Sequence, residues 1–306
     1  MPQPTKAYLY AGCSILAWST ISTAFKLSLQ YLTSIGLLFF ASLTAFLFLG
    51  ITNVIQHSCF QSSQRWYRSV FSNLKQSLLP GLLNPFIYYL MLFEAYSRLR
   101  AQEAQALNYT WAIVLSLFSI WLLKEKFRWV DLMALLISFF GVWIISTKGN
   151  ITSLKFDDGF GSFLAVATSL VWAFYWIINI KDKRPALTKL CYNFLIGFLL
   201  IALFALFTNA SLFTNPTSYG YGILGGIYIG ILEMGLTFLL WNKALELANN
   251  TASISNMIFF TPFLSLLFIY SILGESIHPA TFIGLLLIVF SNLLQKGFAS
   301  ILKRQD

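Results

Sequence analysis

Apolar runs of about 18–22 residues fill most of this chain, and each is long enough to cross a hydrocarbon core of about 30 Å as a helix. Ten such runs can be drawn, at 7–25, 34–55, 78–95, 104–123, 129–146, 160–180, 187–207, 219–240, 252–273 and 281–298. A helix satisfies its own backbone hydrogen bonds, which lipid demands. Strands alternating over about ten residues, the mark of a membrane barrel, are absent. The pattern predicts an all-α membrane protein of ten transmembrane helices. The first run has one basic residue, Lys6, before it and contains Trp18, Ser19, Thr20, Ser22 and Thr23. It therefore reads as a retained span and not as a cleaved signal.

The fourth run, AQALNYTWAIVLSLFSIWLLKE at 104–125, has a polar and aromatic head, an apolar tail and a charged corner at Lys124, Glu125 and Lys126. It has a weaker echo 150 positions later. There Leu117, Phe118 and Leu123 meet Leu267, Phe268 and Leu273, and Glu125 meets Glu275. The polar loop TKGNITSLKFDD at 147–158 divides the chain into 1–150 and 151–306, with five runs on each side. An odd number of spans per copy turns the second copy over, so the expected architecture is two inverted five-helix repeats. Such folds place a substrate site near the midplane. The long connection at 56–77 reads as a cytoplasmic loop on the membrane surface.

Composition agrees with this pattern. Hydrophobic residues make up 58% of the chain and charged residues 10%, against roughly 25% charged in soluble domains; mean hydropathy is +0.72. The net charge of +9 does not point to nucleic acid, because the basic residues lie between apolar runs and form no patch. With the N-terminus in the cytoplasm, 15 Lys and Arg fall on that side and 5 on the other. The excess predicts both termini inside. The three cysteines form neither a disulfide framework nor a metal-ligand spacing. No G-x-x-x-x-G-K-[ST] loop, H-E-x-x-H or nucleophile elbow occurs, so no cofactor and no enzymatic activity is expected.

Polar residues inside spans carry the candidate chemistry. Glu233 sits mid-span in GGIYIGILEMG, with Thr237 and Trp241 on its face. A carboxyl group there is costly to bury. It either binds a substrate amine or carries a proton, or it is a structural carboxyl bonded to a neighbouring helix. Asn84 and Tyr88 lie one turn apart beside Pro85, which removes a backbone hydrogen bond and bends the third span; they line a cavity or an ordinary kink. Trp18 and Trp172 occupy the first span of each half, and Trp176 and Asn179 share the face of Trp172. An aromatic wall there suits apolar or cationic groups; the alternative is an interfacial belt. Asn108, Tyr109 and Trp111 open the fourth span, with Asn108 and Tyr109 projecting to different sides. Glu125 and Glu275 read as helix-end structural pairs, and Glu94, Lys243 and Glu246 as members of local ion pairs. Gly222, Gly225, Gly226, Gly230 and Gly235 offer a close-packing surface on the eighth span.

The tracts LAWSTISTAFK, LNYTWAIVLSLFSIWLLKEKFRW, SLVWAFYWIINIKDK, GILEMGLTFLLWNKALELA and FFTPFLSLLFIYSILGESIHPATFIGLLLI resemble the drug/metabolite transporter superfamily in its ten-helix EamA-type branch. The last tract matches in Pro262, Leu273-Gly274-Glu275 and Gly284. NYTW is similar to the Asn-Tyr-x-Trp-Pro stretch of amino-acid exporters, with Ala112 in place of that proline. The resemblance implies a secondary carrier of the bacterial inner membrane. Its central cavity would be bounded by the first, third and fourth helices and their repeat mates, with Trp18, Tyr109, Trp111 and Trp172 as cavity residues. The expected function is alternating-access transport of a small organic metabolite, with amino-acid export foremost and protons as a coupling ion. Uptake or exchange of a nucleotide-type metabolite is the alternative reading, and a non-transporting membrane scaffold is the alternative of another class.

Overall fold

The computed structural model describes residues 3–58, 66–122, 129–150, 158–214, 219–248, 254 and 257–302. Its elements are α1 (Gln3–Ser28), α2 (Ser34–Ser58), α3 (Trp66–Gly81), a π-helical segment (Leu82–Ile87), α4 (Tyr88–Arg98), α5 (Ala101–Asn108), α6 (Trp111–Leu122), α7 (Trp129–Ser146), α8 (Gly159–Lys181), α9 (Ala186–Phe207), α10 (Tyr219–Ile231), a second π-helical segment (Leu232–Leu236), α11 (Thr237–Glu246), a 3-10 turn (Met257–Phe260), α12 (Thr261–Leu273) and α13 (Pro279–Leu302). The one β pairing among the described residues is an isolated bridge between Leu32 and Phe213.

Seven helical stretches are long and apolar enough to cross a membrane: Ser34–Ile55, Val70–Arg98, Ala101–Leu122, Trp129–Ser146, Gly159–Lys181, Ala186–Phe207 and Tyr219–Glu246. Met257–Leu273 and Pro279–Leu294 are shorter apolar helices. The first run forms a helix of 26 residues, but its serines, threonines and tryptophan keep it less apolar than those seven. The expected loop at 56–77 is in part helical. α2 runs on to Ser58 and α3 starts at Trp66, because the Leu, Phe and Val positions of WYRSVFSNLKQSLLPG recur at helical spacing. The Glu125 corner lies outside the described residues.

Chain punctuation follows local chemistry. Pro185 precedes α9 and Pro279 opens α13, where a missing N–H costs no helical bond. Gly274 ends α12 with φ of +67°, the left-handed conformation that suits glycine after a helix.

The residues form two compact units: 1–93 with 182–273, and 94–181 with 274–306. Each unit draws on both halves of the chain, so spatial units and halves of the sequence are different divisions. In the first unit α2 packs on α9 and α10, α1 on α11 and α12, and α3 on α9. The glycines of α10 permit its approach to α2: a Cβ at Gly230 would lie 2.5 Å from the Ala41 carbonyl oxygen, and one at Gly226 would lie 2.7 Å from the Phe40 Cβ. A Cβ at Gly197 would strike the Pro85 ring, so α9 leaves room for the break in the third span.

In the second unit α7 packs on α13 and α6 on α8. α7 and α13 cross at two glycines, where a Cβ at Gly141 would stand 2.8 Å from the Gly284 carbonyl oxygen. Glu275 Oε1 accepts a hydrogen bond from the Ala101 N–H at 3.1 Å, which covers a free amide at the start of α5. Gln102 Nε2 donates to the Ser276 carbonyl at 2.9 Å, and its Oε1 accepts from the His278 N–H at 2.8 Å. Glu275 is thus a helix-end group paired with amides. Arg98 pairs with Glu94 at 2.8 Å, and Lys243 with Glu246 at 2.9 Å, as local ion pairs.

Candidate functional site

Glu233 lies in the π-helical segment between α10 and α11. Such a segment inserts a residue into the helix and often marks a functional position. The Tyr89 hydroxyl donates to Glu233 Oε1 at 3.0 Å, and the Trp18 indole faces the same carboxyl. Glu233 Oε2 is shut off from solvent and has no hydrogen-bond partner. Rings flank the group on both sides. Trp18 meets Phe238 at 5.8 Å and Trp241 at 5.4 Å. Tyr89 meets Tyr88 at 4.8 Å and Phe93 at 5.5 Å, and Phe93 meets Phe25 at 4.8 Å. A carboxyl with one phenol donor and one unpaired oxygen, set among indole and phenol rings, can accept an ammonium group or a proton.

The first unit thus brings Trp18 of α1 and Tyr89 of α4 to Glu233, while Tyr88 stands one ring away against Tyr89 and Thr237 follows Glu233 on the eighth span. Thr237 is fully buried and its Oγ1 is unpartnered, while its carbonyl accepts from Ser14 Oγ at 3.5 Å. Asn84 sits in the other π-helical segment with extended backbone (φ −140°, ψ 115°). Its side chain is buried and its Oδ1 has no partner.

The second unit holds the other candidates. The fourth span is interrupted at Tyr109 and Thr110, between α5 and α6. No proline causes this, as Ala112 implies. Side chains of α8 hold the break instead. Asn108 Nδ2 donates to Thr168 Oγ1 at 2.7 Å, Thr110 Oγ1 and Ser169 Oγ share a hydrogen at 2.6 Å, and Ser169 Oγ donates to the Asn108 carbonyl at 3.4 Å. Thr110 Oγ1 also reaches the Leu107 carbonyl at 2.8 Å. Trp172 and Trp176 follow Thr168 at four and eight residues and so share its face. Trp172 stacks on Tyr175 at 5.5 Å and meets Trp176 edge-on at 6.0 Å. Trp176 Nε1 is buried without a partner. Tyr109 lies in the break and Trp111 directly after it, both half-buried, and Trp111 forms no ring pair with the α8 aromatics.

A family model for EamA-like transporters matches residues 5–147 and again 159–295. The chain belongs to the EamA-like transporter family. It is a multi-pass membrane transporter, of a family whose members are typically not enzymes. The EamA-like chain is 24% identical over 220 residues to an uncharacterized transporter of Clostridium kluyveri, spanning 71% of this chain and 70% of that protein. A solved crystal structure superposes with a TM-score of 0.63 at 20% identity, covering 97% of this chain and 99% of the other; at that identity the likeness is one of fold.

Several residues in these sites escape a reading of the sequence alone. Tyr89, not Tyr88, reaches Glu233, because the extended backbone at Asn84 resets the helical phase after it. Thr110 and Thr168 have no hydroxyl counterpart at the 150-residue offset, and only Ser169 does. At that offset Ser19 matches Ser169, and each lies against a broken helix: Ser19 Oγ donates chiefly to the Ile15 carbonyl at 2.6 Å, with a longer second contact to the Thr261 carbonyl at 3.3 Å. Trp18 then matches Thr168, and Trp172 matches Ser22.

Proposed function

We propose that this EamA-like transporter is a secondary, alternating-access carrier of a small organic metabolite bearing an ammonium group, with amino-acid export as the foremost case. The observation that carries the reading is the Glu233 carboxyl, held by Tyr89 on one oxygen, buried without a partner on the other and faced by the Trp18 indole. One carboxylate can hold either a substrate ammonium or a proton, which supplies a means of proton coupling.

The same reading takes the chain as two inverted five-helix repeats, 1–150 and 151–306, in a bacterial inner membrane with both termini cytoplasmic. Matched interruptions support it. The third spans break at 82–87 and 232–236, and the fourth and ninth near 109 and 259, both pairs 150 residues apart. Helix pairs also match on exchange of halves: α2 on α10 with α9 on α3, and α1 on α12 with α8 on α6.

Counterflow of labelled amino acids in liposomes, at two pH values and with amine and nucleotide competitors, tests this. Glu233→Gln should cut counterflow by at least about tenfold, some 1.4 kcal/mol, and flatten its pH dependence. Unchanged flux and unchanged pH dependence would remove Glu233 from the transport path. Flux of no tested solute would return the chain to the scaffold reading.

A further inference from the structure

Hydroxyls buried in apolar helices ordinarily donate back to a carbonyl three or four residues earlier. Ser14, Ser28, Thr147, Thr168 and Ser291 all do so here. Five buried hydroxyl oxygens among the described residues have no partner at all: Thr23, Ser77, Thr237, Thr261 and Ser265. Three of the five converge on one helix pair, α1 and α12.

Ser19 and Thr23 lie one turn apart on α1, and Thr261 and Ser265 one turn apart on α12, so each pair shares a face. The contact of Ser19 Oγ with the Thr261 carbonyl fixes their register. Ala7 and Ala11 at the start of α1 share one hydrophobic cluster with Ala244 and with Ile254 and Met257 at the approach to α12, while Ser19 further along α1 meets Thr261, so the two helices run in the same direction. Thr23 and Ser265 therefore stand at the next level. Thr23, Thr261 and Ser265 are 3%, 3% and 0% exposed, and α12 begins where a 3-10 turn leaves the regular helix. Each unpaired buried hydroxyl gives up its hydration with nothing in return, and three on one helix pair call for a common partner.

We propose that the α1–α12 crossing binds a sodium ion, with Thr23, Thr261 and Ser265 hydroxyls and the Thr261 carbonyl as its oxygen ligands. Hard cations take oxygen ligands, and broken membrane helices supply hydroxyl and carbonyl oxygens to sodium. The cluster itself carries no carboxylate, which fits a monovalent ion and not a divalent one. The site shares no ligand with Glu233 and, resting on the carrier reading above, offers sodium as a coupling ion.

The test is direct binding of radioactive sodium to the purified full-length protein in detergent, with N-methylglucamine as the inert cation. Saturable binding is expected, with a sodium-dependent rise in melting temperature. Ser265→Ala and Thr23→Val should each weaken binding by about tenfold or more while leaving the melting temperature in N-methylglucamine unchanged. Absence of saturable sodium binding by the wild type overturns the proposal, as does wild-type affinity in both variants. Neither readout uses a transported solute, so failure to find one leaves this test intact.

Discussion

Two serines 150 residues apart hold two broken helices, and their surroundings differ. Ser169 works in a closed network: with Thr110, Asn108 and Thr168 it spans the interruption of the fourth span, and none of the four side chains leaves a buried polar atom unpartnered. Ser19 works in an open one. It reaches Ile15 at 2.6 Å and Thr261 at 3.3 Å, while the Thr23, Thr261 and Ser265 hydroxyls beside it remain unpaired. The same local device serves stability in one place and leaves ligand capacity in the other. A helix break does not by itself make a binding site.

Stability measurements can break this contrast. Thr110→Val strikes the closed network hardest, since it removes the short bond to Ser169 and leaves that buried hydroxyl only its long contact with the Asn108 carbonyl. A loss of about 1–3 kcal/mol is expected, read as a fall in melting temperature. An unchanged melt would mean that the fourth span is not held by side chains.

An ion pair at a polar membrane edge supplies a calibration. Arg184 Nη2 meets Asp182 Oδ2 at 2.7 Å and its Nη1 donates to the Asn73 carbonyl at 3.0 Å, tying the α8–α9 turn to α3. Burial opposes ionisation of Asp182, but the hydrogen bonds and charge of Arg184 outweigh it and hold the carboxyl below its usual range. Its contribution is therefore present above the unfolded value of about 3.9 and is lost as pH falls through the folded one. Asp182→Asn should cost about 1 kcal/mol or less near neutrality, and the difference from wild type should shrink as pH falls below about 4 and vanish once it passes below the folded value.

Ser19→Ala sharpens the comparison from the other side, with an expected loss of about 0.6 kcal/mol, the usual size for a hydrogen bond between membrane helices. Thr261→Val, in sodium-free buffer, should stay within about 0.5 kcal/mol of wild type or stabilise slightly, because it replaces an unpaired hydroxyl by a methyl of similar shape. A large loss from Thr261→Val would show that its hydroxyl is bonded after all, and would close the difference between the two regions.

Much of the helical framework was legible in the apolar runs, because lipid leaves backbone groups few other solutions. The breaks were less legible. Pro85 announced one, but nothing in NYTWA announces the interruption at Tyr109 and Thr110, since it is held by Thr168 and Ser169 on another helix. Glu233 stood out by its charge alone, whereas its partner Tyr89 depended on a change of phase that no periodicity carries. Asn84 and Tyr88 share the third span with Tyr89, and the reset at Asn84 decides which tyrosine faces the carboxyl. The hydroxyls of α1 and α12 were visible as letters; their lack of partners is a property of packing.

The bonds joining Gln102 to Glu275, Ser276 and His278 have a consequence for how this sequence drifts. Positions 102 and 275 lie far apart in the chain, yet one amide and one carboxylate there serve the same helix start and the same turn. Neither site can change freely while the other stays. In a library randomised at both positions, survivors should come as correlated pairs, and descendants of this chain should carry replacements at 102 and 275 together or not at all.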